Sequence, residues 1–275
     1  MAVVLALLTA LAYGVGDFSG GLAARRAAPL TVTASAHMIG LVGLLVLAAL
    51  VGAEEVRTAD LVLGAGAGAC GCLGIVLLYR GLAGGRMAVI SPITAVIAAI
   101  FPVIGGLVAG ERPGPAAMAG IVAALVAITL VSRSGPMGRP DRESLLVALG
   151  SGLGFGGYFL LISGVQEEAG FWPLAVGRAV SVVLAVSVAL ARHLPVLVPV
   201  AALGLTVAAG ALDVTANVTF LLASQQGLLS VVAVIASLYP AGTVLLAMVV
   251  EKERLSAIQG VGLAAAAGAL VLVAM

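Results

Sequence analysis

Polar residues interrupt this chain at intervals too long for a soluble domain. Between short breaks that hold most of its charges, ten apolar stretches cover about 2–23, 30–52, 60–79, 87–109, 115–132, 144–164, 172–191, 200–222, 228–250 and 255–274. Each approaches the roughly 20 residues that a helix rising about 1.5 Å per residue needs to cross about 30 Å of hydrocarbon. A strand-built barrel would instead show alternating segments of about ten residues. Backbone groups facing lipid must pair within their own segment, which leaves helices as the spanning element. The pattern therefore predicts an all-α, polytopic membrane protein with ten transmembrane helices.

The same text is written twice. Tyr13-Gly14 recurs as Phe155-Gly156, Val89-Ile90 as Val231-Val232, Glu111-Arg112 as Glu253-Arg254 and Gly120 as Gly262, always 142 residues apart. A gap-free duplication on this scale defines repeat units: residues 1–132, a Gly/Pro/Arg-rich linker at 133–143, and residues 144–275. Five helices is an odd number, so consecutive repeats enter the membrane from opposite sides and the halves are inverted. Loop charge agrees, because Arg25 and Arg26 correspond at the same spacing to Glu167 and Glu168. One side of the membrane receives Arg25, Arg26, Arg80, Arg86, Arg133, Arg139, Arg142, Arg192, Lys252 and Arg254, the other only Arg57 and Arg112. Cations gather in cytoplasmic loops, a rule that here places both termini outside the cytoplasm.

Composition sharpens the class. The chain is 62% hydrophobic and 9% charged, whereas roughly a quarter of residues in soluble domains are charged. A formal net charge of +1 gives no attraction to nucleic acid, and no soluble domain is predicted to host one. No basic residue precedes the first apolar run and no small-residue cleavage site follows it, so it reads as a retained helix and not a signal peptide. Cys70 and Cys72 fall inside the third helix and read as packing thiols, with no metal site or disulfide expected. The expected setting is the cell (inner) membrane, with the lipid bilayer and a small-molecule substrate as partners and either a monomer or a homodimer as the assembly.

Several motifs carry a resemblance. Tyr13-Gly14-Val15-Gly16-Asp17-Phe18-Ser19-Gly20-Gly21 with Arg25-Arg26, Tyr79-Arg80-Gly81-Leu82, Ser91-Pro92-Ile93 and Gly110-Glu111-Arg112-Pro113 resemble EamA-type members of the drug/metabolite transporter superfamily. The likeness covers the full chain. It implies ten helices around a central cavity and movement of small metabolites, often export of amino acids or related compounds. It also implies cytoplasmic termini, against the loop charges. The second half departs from the pattern with Glu251-Lys252-Glu253-Arg254 where Gly-Glu-Arg is usual, and an arginine common early in the second helix of each half is kept as Arg178 but replaced by Ala36 in the first.

Ionisable side chains within hydrocarbon are costly unless paired or wetted, so they mark candidate sites. Asp213 lies near the middle of the eighth helix, and Thr206, Gly210, Asp213, Asn217 and Ser224 form one stripe along it. That stripe should face a wet cavity or a partner. Asp213 could contact a substrate amine, couple protons, or form a structural pair with Arg178. Thr9, Tyr13, Asp17 and Gly20 share a face of the first helix, where Asp17 either serves the pathway or pairs locally with Arg25. His37 could exchange protons near neutral pH or bond to a neighbouring helix. Arg178 could snorkel to the interface, hold a substrate carboxylate, or neutralise an aspartate. Tyr158 is expected in the cavity in preference to Tyr79, a helix-end tyrosine of the kind that anchors at interfaces, and Trp172 reads as such an anchor. On the ninth helix, Ser230, Ser237, Tyr239 and Thr243 surround Pro240.

Pro92, Pro102 and Pro240 remove helical hydrogen bonds and permit bending. Gly64/Gly68, Gly106/Gly110 and Gly150/Gly154 have the small-xxx-small spacing of close helix contacts. Glu111 and Glu253 precede the fifth and tenth helices, whose free amides and positive dipole ends they could meet. No Walker-type loop is present, so energy would come from a gradient, and Asp213, Asp17 and His37 are the titratable candidates for coupling. No cofactor is expected. With no HExxH, no carboxylate pair within a helix and no serine-base arrangement, a membrane enzyme is disfavoured. A passive channel would carry long polar stripes on several helices, not on one.

Overall fold

The computed structural model describes residues 1–83, 87–131, 142–242, 246 and 256–274. Every regular element among them is helical: α1 (Ala2–Ala24), α2 (Pro29–Val51), α3 (Thr58–Ala83), α4 (Met87–Val108), α5 (Pro115–Val131), α6 (Arg142–Ile162), α7 (Trp172–Ala191), α8 (Val200–Gln226), α9 (Leu229–Ala236) and α10 (Ala257–Ala274). Six of them (α1, α2, α3, α6, α7 and α8) are long and apolar enough to cross a membrane, and shorter apolar stretches at Ile93–Val108, Pro115–Leu130, Leu229–Gly242 and Gly260–Leu272 complete ten. Residues 132–141, which include most of the expected linker with Arg133 and Arg139, lie outside the described residues, as do Arg86, Thr243, Glu251, Lys252, Glu253 and Arg254, while the linker's last two residues, Arg142 and Glu143, open α6.

The ninth apolar run is interrupted where a single helix was expected. α9 ends at Ala236, Ser237-Leu238 form a turn, and helix resumes at 239–242. Pro240 supplies the reason, since it has no N–H to give the carbonyl of Ala236 four residues earlier. By contrast α4 runs unbroken from Met87 to Val108 through Pro92 and Pro102.

Packing joins the first five helices to the last five. α1 lies along α8 and α3 along α6, while α2 meets α7, α4 meets α9 and α5 meets α10. Further seams are α3 with α7, α2 with α8, α4 with α6 and α1 with α9. Replace each helix by the one five places away and every one of these pairs becomes itself or another member of the set. Small residues make the seams close. A Cβ at Gly64 would lie 2.2 Å from the Pro173 carbonyl oxygen, and one at Gly68 would lie 1.9 Å from that of Gly177, both on α7. The joint between α2 and α8 is built alike, with a Cβ at Gly210 placed 2.5 Å from the Ala36 carbonyl oxygen. Gly154 closes the α3–α6 seam against the backbone of Cys70 and Gly74. Gly110 is no packing glycine, because it turns the chain after α4 at φ 98° with nothing near its missing Cβ.

Hydrogen bonds tie the helix bundle at both ends. Near the end of α2 the amides of Glu54 and Glu55 donate to the Glu168 carbonyl (2.9 and 3.2 Å), and buried Asp60 accepts from the amides of Gln166 (3.0 Å) and Arg57 (3.3 Å). In this exposed turn the Arg57 guanidinium beside Glu55 (3.2 Å) holds that carboxyl below its ordinary value. At the start of α2, Thr31 donates to the Pro195 carbonyl (2.6 Å), and Ser35 both donates to Val196 (3.0 Å) and accepts from the Val198 amide (3.1 Å).

Glu111 serves a different helix from the one its position suggested. Its carboxylate accepts from the amides of Leu229 (2.5 Å) and Ser230 (3.0 Å), capping α9 in the other half of the chain. α5 begins at Pro115, which has no amide to offer. Two unpaired helix-start donors are satisfied across the bundle, beside a favourable dipole end. Glu111→Ala is expected to lower stability by about 1–2 kcal/mol, the usual size of a lost cap, read as an earlier thermal unfolding midpoint in detergent; Glu111→Gln should lose less.

Candidate functional site

Half-way along the helices, the seams leave a cavity of about 40 Å³ lined by α1, α2, α3, α6, α7 and α8. At about 10–15 Å³ per water, it has room for roughly three. Tyr13 and Asp213 are the middle residues of α1 and α8, so the chamber sits at half depth.

Asp213 is brought there by the polar stripe of α8, and Arg178 meets it from α7. The Arg178 guanidinium donates to Asp213 Oδ2. One turn along α8, Asn217 Nδ2 donates to the same oxygen (3.2 Å), and the Tyr13 hydroxyl donates to Asn217 Oδ1 (2.5 Å). A continuous chain therefore runs from α7 through α8 to α1. Arg178 is 6% exposed and Asp213 20%. Burial of the guanidinium and its ion pair with Asp213 at the middle of α8 exclude the snorkelling alternative. This is the neutralising arrangement among the three considered.

A second polar contact flanks the first. His37 Nδ1 lies 2.6 Å from Ser181 Oγ, one turn beyond Arg178 on α7, and the Ser181 carbonyl accepts from Cys72 Sγ (3.6 Å). Tyr158 lines the cavity from α6, and its buried hydroxyl has no hydrogen-bond partner among the described residues. Behind these two tyrosines, Phe159 stacks on Phe220 (4.4 Å between centroids) and meets Tyr13 (6.0 Å) and Tyr158 (5.8 Å).

Of the residues singled out from sequence, Asp213, Asn217, Arg178, His37, Tyr158 and Tyr13 all line this chamber. Asp17 and Thr206 do not. Asp17 is buried on α1, one turn past Tyr13, and Thr206 spends its hydroxyl on the Ala202 carbonyl of its own helix (2.9 Å). Tyr79 is no interfacial anchor, since it is 3% exposed and lies over Gly20, where a Cβ would sit 2.1 Å from its hydroxyl. Trp172 opens α7 half-buried.

Ser181 and Cys72 are additional lining residues. Ser181 carried a legible signal, its three-residue spacing from Arg178 on one helical face. Cys72 carried none, since a thiol in an apolar helix reads as packing.

Comparisons with known proteins give the class. Residues 1–133 match the EamA-like transporter family. A chain from a solved crystal structure superposes with a TM-score of 0.74 at 19% identity, covering 96% of this chain and 95% of its own. At that identity the likeness establishes the fold alone. No curated protein matches the sequence. The match over residues 1–133, together with apolar helices lining a central chamber, identifies the first half of the chain as EamA-like, similar to a family of membrane transporters.

Proposed function

We propose that the protein is a secondary transporter that carries a small metabolite, an amino acid or related compound, by alternating access between two inverted halves, exporting it from the cell in exchange for protons. Support for inversion comes from the duplication at 142 residues and from the helix seams, which map onto themselves when each helix is replaced by its counterpart. Inverted repeats place a substrate site at their interface near mid-membrane. The observation that carries the reading is the network from Arg178 through Asp213 and Asn217 to Tyr13, which lines a chamber between helices of the two halves.

The chamber has room for about three waters and is only partly enclosed. Transport then needs the ties at one end of the bundle to open while those at the other hold. Asp213 is the first candidate for coupling, because a carboxylate held by Arg178 is available to a proton only when that pair parts. One proton moving down about 100 mV releases about 2.3 kcal/mol, enough to sustain a concentration ratio of roughly fifty.

The test is flux in proteoliposomes driven by an imposed pH gradient, using metabolites released by producing cells and not by cells lacking the protein. Saturable, gradient-dependent movement is expected for the wild type, and Asp213→Asn should remove the dependence on the gradient. Unaltered gradient-driven flux in that variant would take Asp213 out of the mechanism; linear, non-saturating flux would point to a channel.

A further inference from the structure

Arg178 already holds a carboxylate in the centre of the chamber, and that carboxylate belongs to the protein. We infer that Asp213 is a built-in competitor for the cargo: it occupies the carboxylate subsite of Arg178 while the chamber is empty of cargo, and a carboxylate-bearing substrate enters by displacing it. This deepens the transporter reading above and rests on it.

Three observations support the exchange. Asn217 Nδ2 and the Arg178 guanidinium converge on one oxygen, Asp213 Oδ2, so both donors become free together when the aspartate leaves. Tyr158 supplies a third donor: its hydroxyl is buried in the cavity wall with no hydrogen-bond partner among the described residues, and the residue is 8% exposed. Leaving a buried hydroxyl unpaired is costly in a finished core, so its presence here fits a group whose acceptor arrives from outside. Size provides the third. The cavity beside the pair has room for roughly three waters, enough to admit a carboxylate group.

Asp213 is suited to leave. Its side chain retains 20% exposure, against 6% for Arg178, so water entering with the cargo reaches the aspartate first. Arg178 has no such outlet and stays fixed, which makes it the permanent half of the site.

The competition gives a signature that a purely structural ion pair does not. Calorimetric titration of the purified full chain in detergent would use matched sets of a carboxylate, its primary amide and its alcohol: leucine, leucinamide and leucinol; lactate, lactamide and propane-1,2-diol. Carboxylate members are expected to bind at least tenfold tighter than their amides and alcohols. Asp213→Asn, with Asp213→Ala as a second variant should the first fold poorly, should tighten the carboxylates about tenfold. Arg178→Gln should abolish their binding. Tyr158→Phe should weaken it several-fold with an unliganded melting temperature unchanged or raised. Weaker carboxylate binding in both Asp213 variants, equal binding of the amides, or a panel with no carboxylate ligand would overturn the inference. Persistent saturable flux alongside any of these results would leave the transporter reading standing, whereas loss of all flux in the wild type would remove that reading instead.

Discussion

Replacing Arg178 with methionine is expected to cost about 3 kcal/mol of stability, the low end of the range for breaking a buried ion pair by removing one partner. The methionine fills much of the same volume, so the loss is electrostatic: Asp213 is left without its counter-charge, with Asn217 Nδ2 as its remaining hydrogen-bond donor among the described residues. The low end applies because Asp213 retains 20% exposure. Adding Asp213→Asn to the same variant removes the orphaned charge and should recover more than half of the loss. Thermal or denaturant unfolding of the four proteins in one detergent gives the coupling energy directly. Additive effects would show that Arg178 and Asp213 do not depend on each other in the folded state.

The α3–α7 seam should give an effect of similar size from a single methyl group. In Gly68→Ala the new Cβ would begin 1.9 Å from the Gly177 carbonyl oxygen, and the obstacle is backbone on a neighbouring helix, not a side chain that can swing away. The two helices must separate by more than an ångström, carrying Arg178 and Ser181 with α7. Forced expansion of a close-packed seam costs about 1–3 kcal/mol and sometimes more; the top of that range is expected here. Gly43→Ala is the control, since nothing lies within 4 Å of the Cβ it would gain. There the lower helix propensity of glycine is relieved, and stability should hold or rise by about 0.5–1 kcal/mol. Comparing unfolding midpoints and the monodisperse fraction of the two variants separates seam contact from intrinsic propensity.

Much of the architecture was legible because lipid leaves so few solutions. Nine of the ten apolar runs became helices within about four residues of their expected bounds, the ninth being broken at Ser237-Leu238, and α8 is extended through Ser224, Gln225 and Gln226 because a helix end can carry polar residues into the interface. Asp213 and Arg178 stood out as charges among alanines, valines and leucines. Choosing between a paired and a snorkelling Arg178 required knowing which helix lies opposite α7, and local pattern does not encode that. The same limit hid the partner of Glu111: its sequence neighbour is α5, but its hydrogen-bond donors come from α9, more than a hundred residues away. Ser181 and Cys72 were overlooked because small polar side chains in apolar helices pack more often than they bind. The interruption at Ser237-Leu238 was foreshadowed by Pro240, though a bend and a break look alike in one dimension.

Where the seams fall has a consequence for how this protein comes into being. α1 leans on α8, α3 on α6 and α5 on α10, so the first half emerging from the ribosome finds few of its final neighbours already made. Its glycine-lined faces must wait in lipid, and assembly finishes only once the second half has been inserted. The seams that cross the halves can therefore form only after the second half has been made.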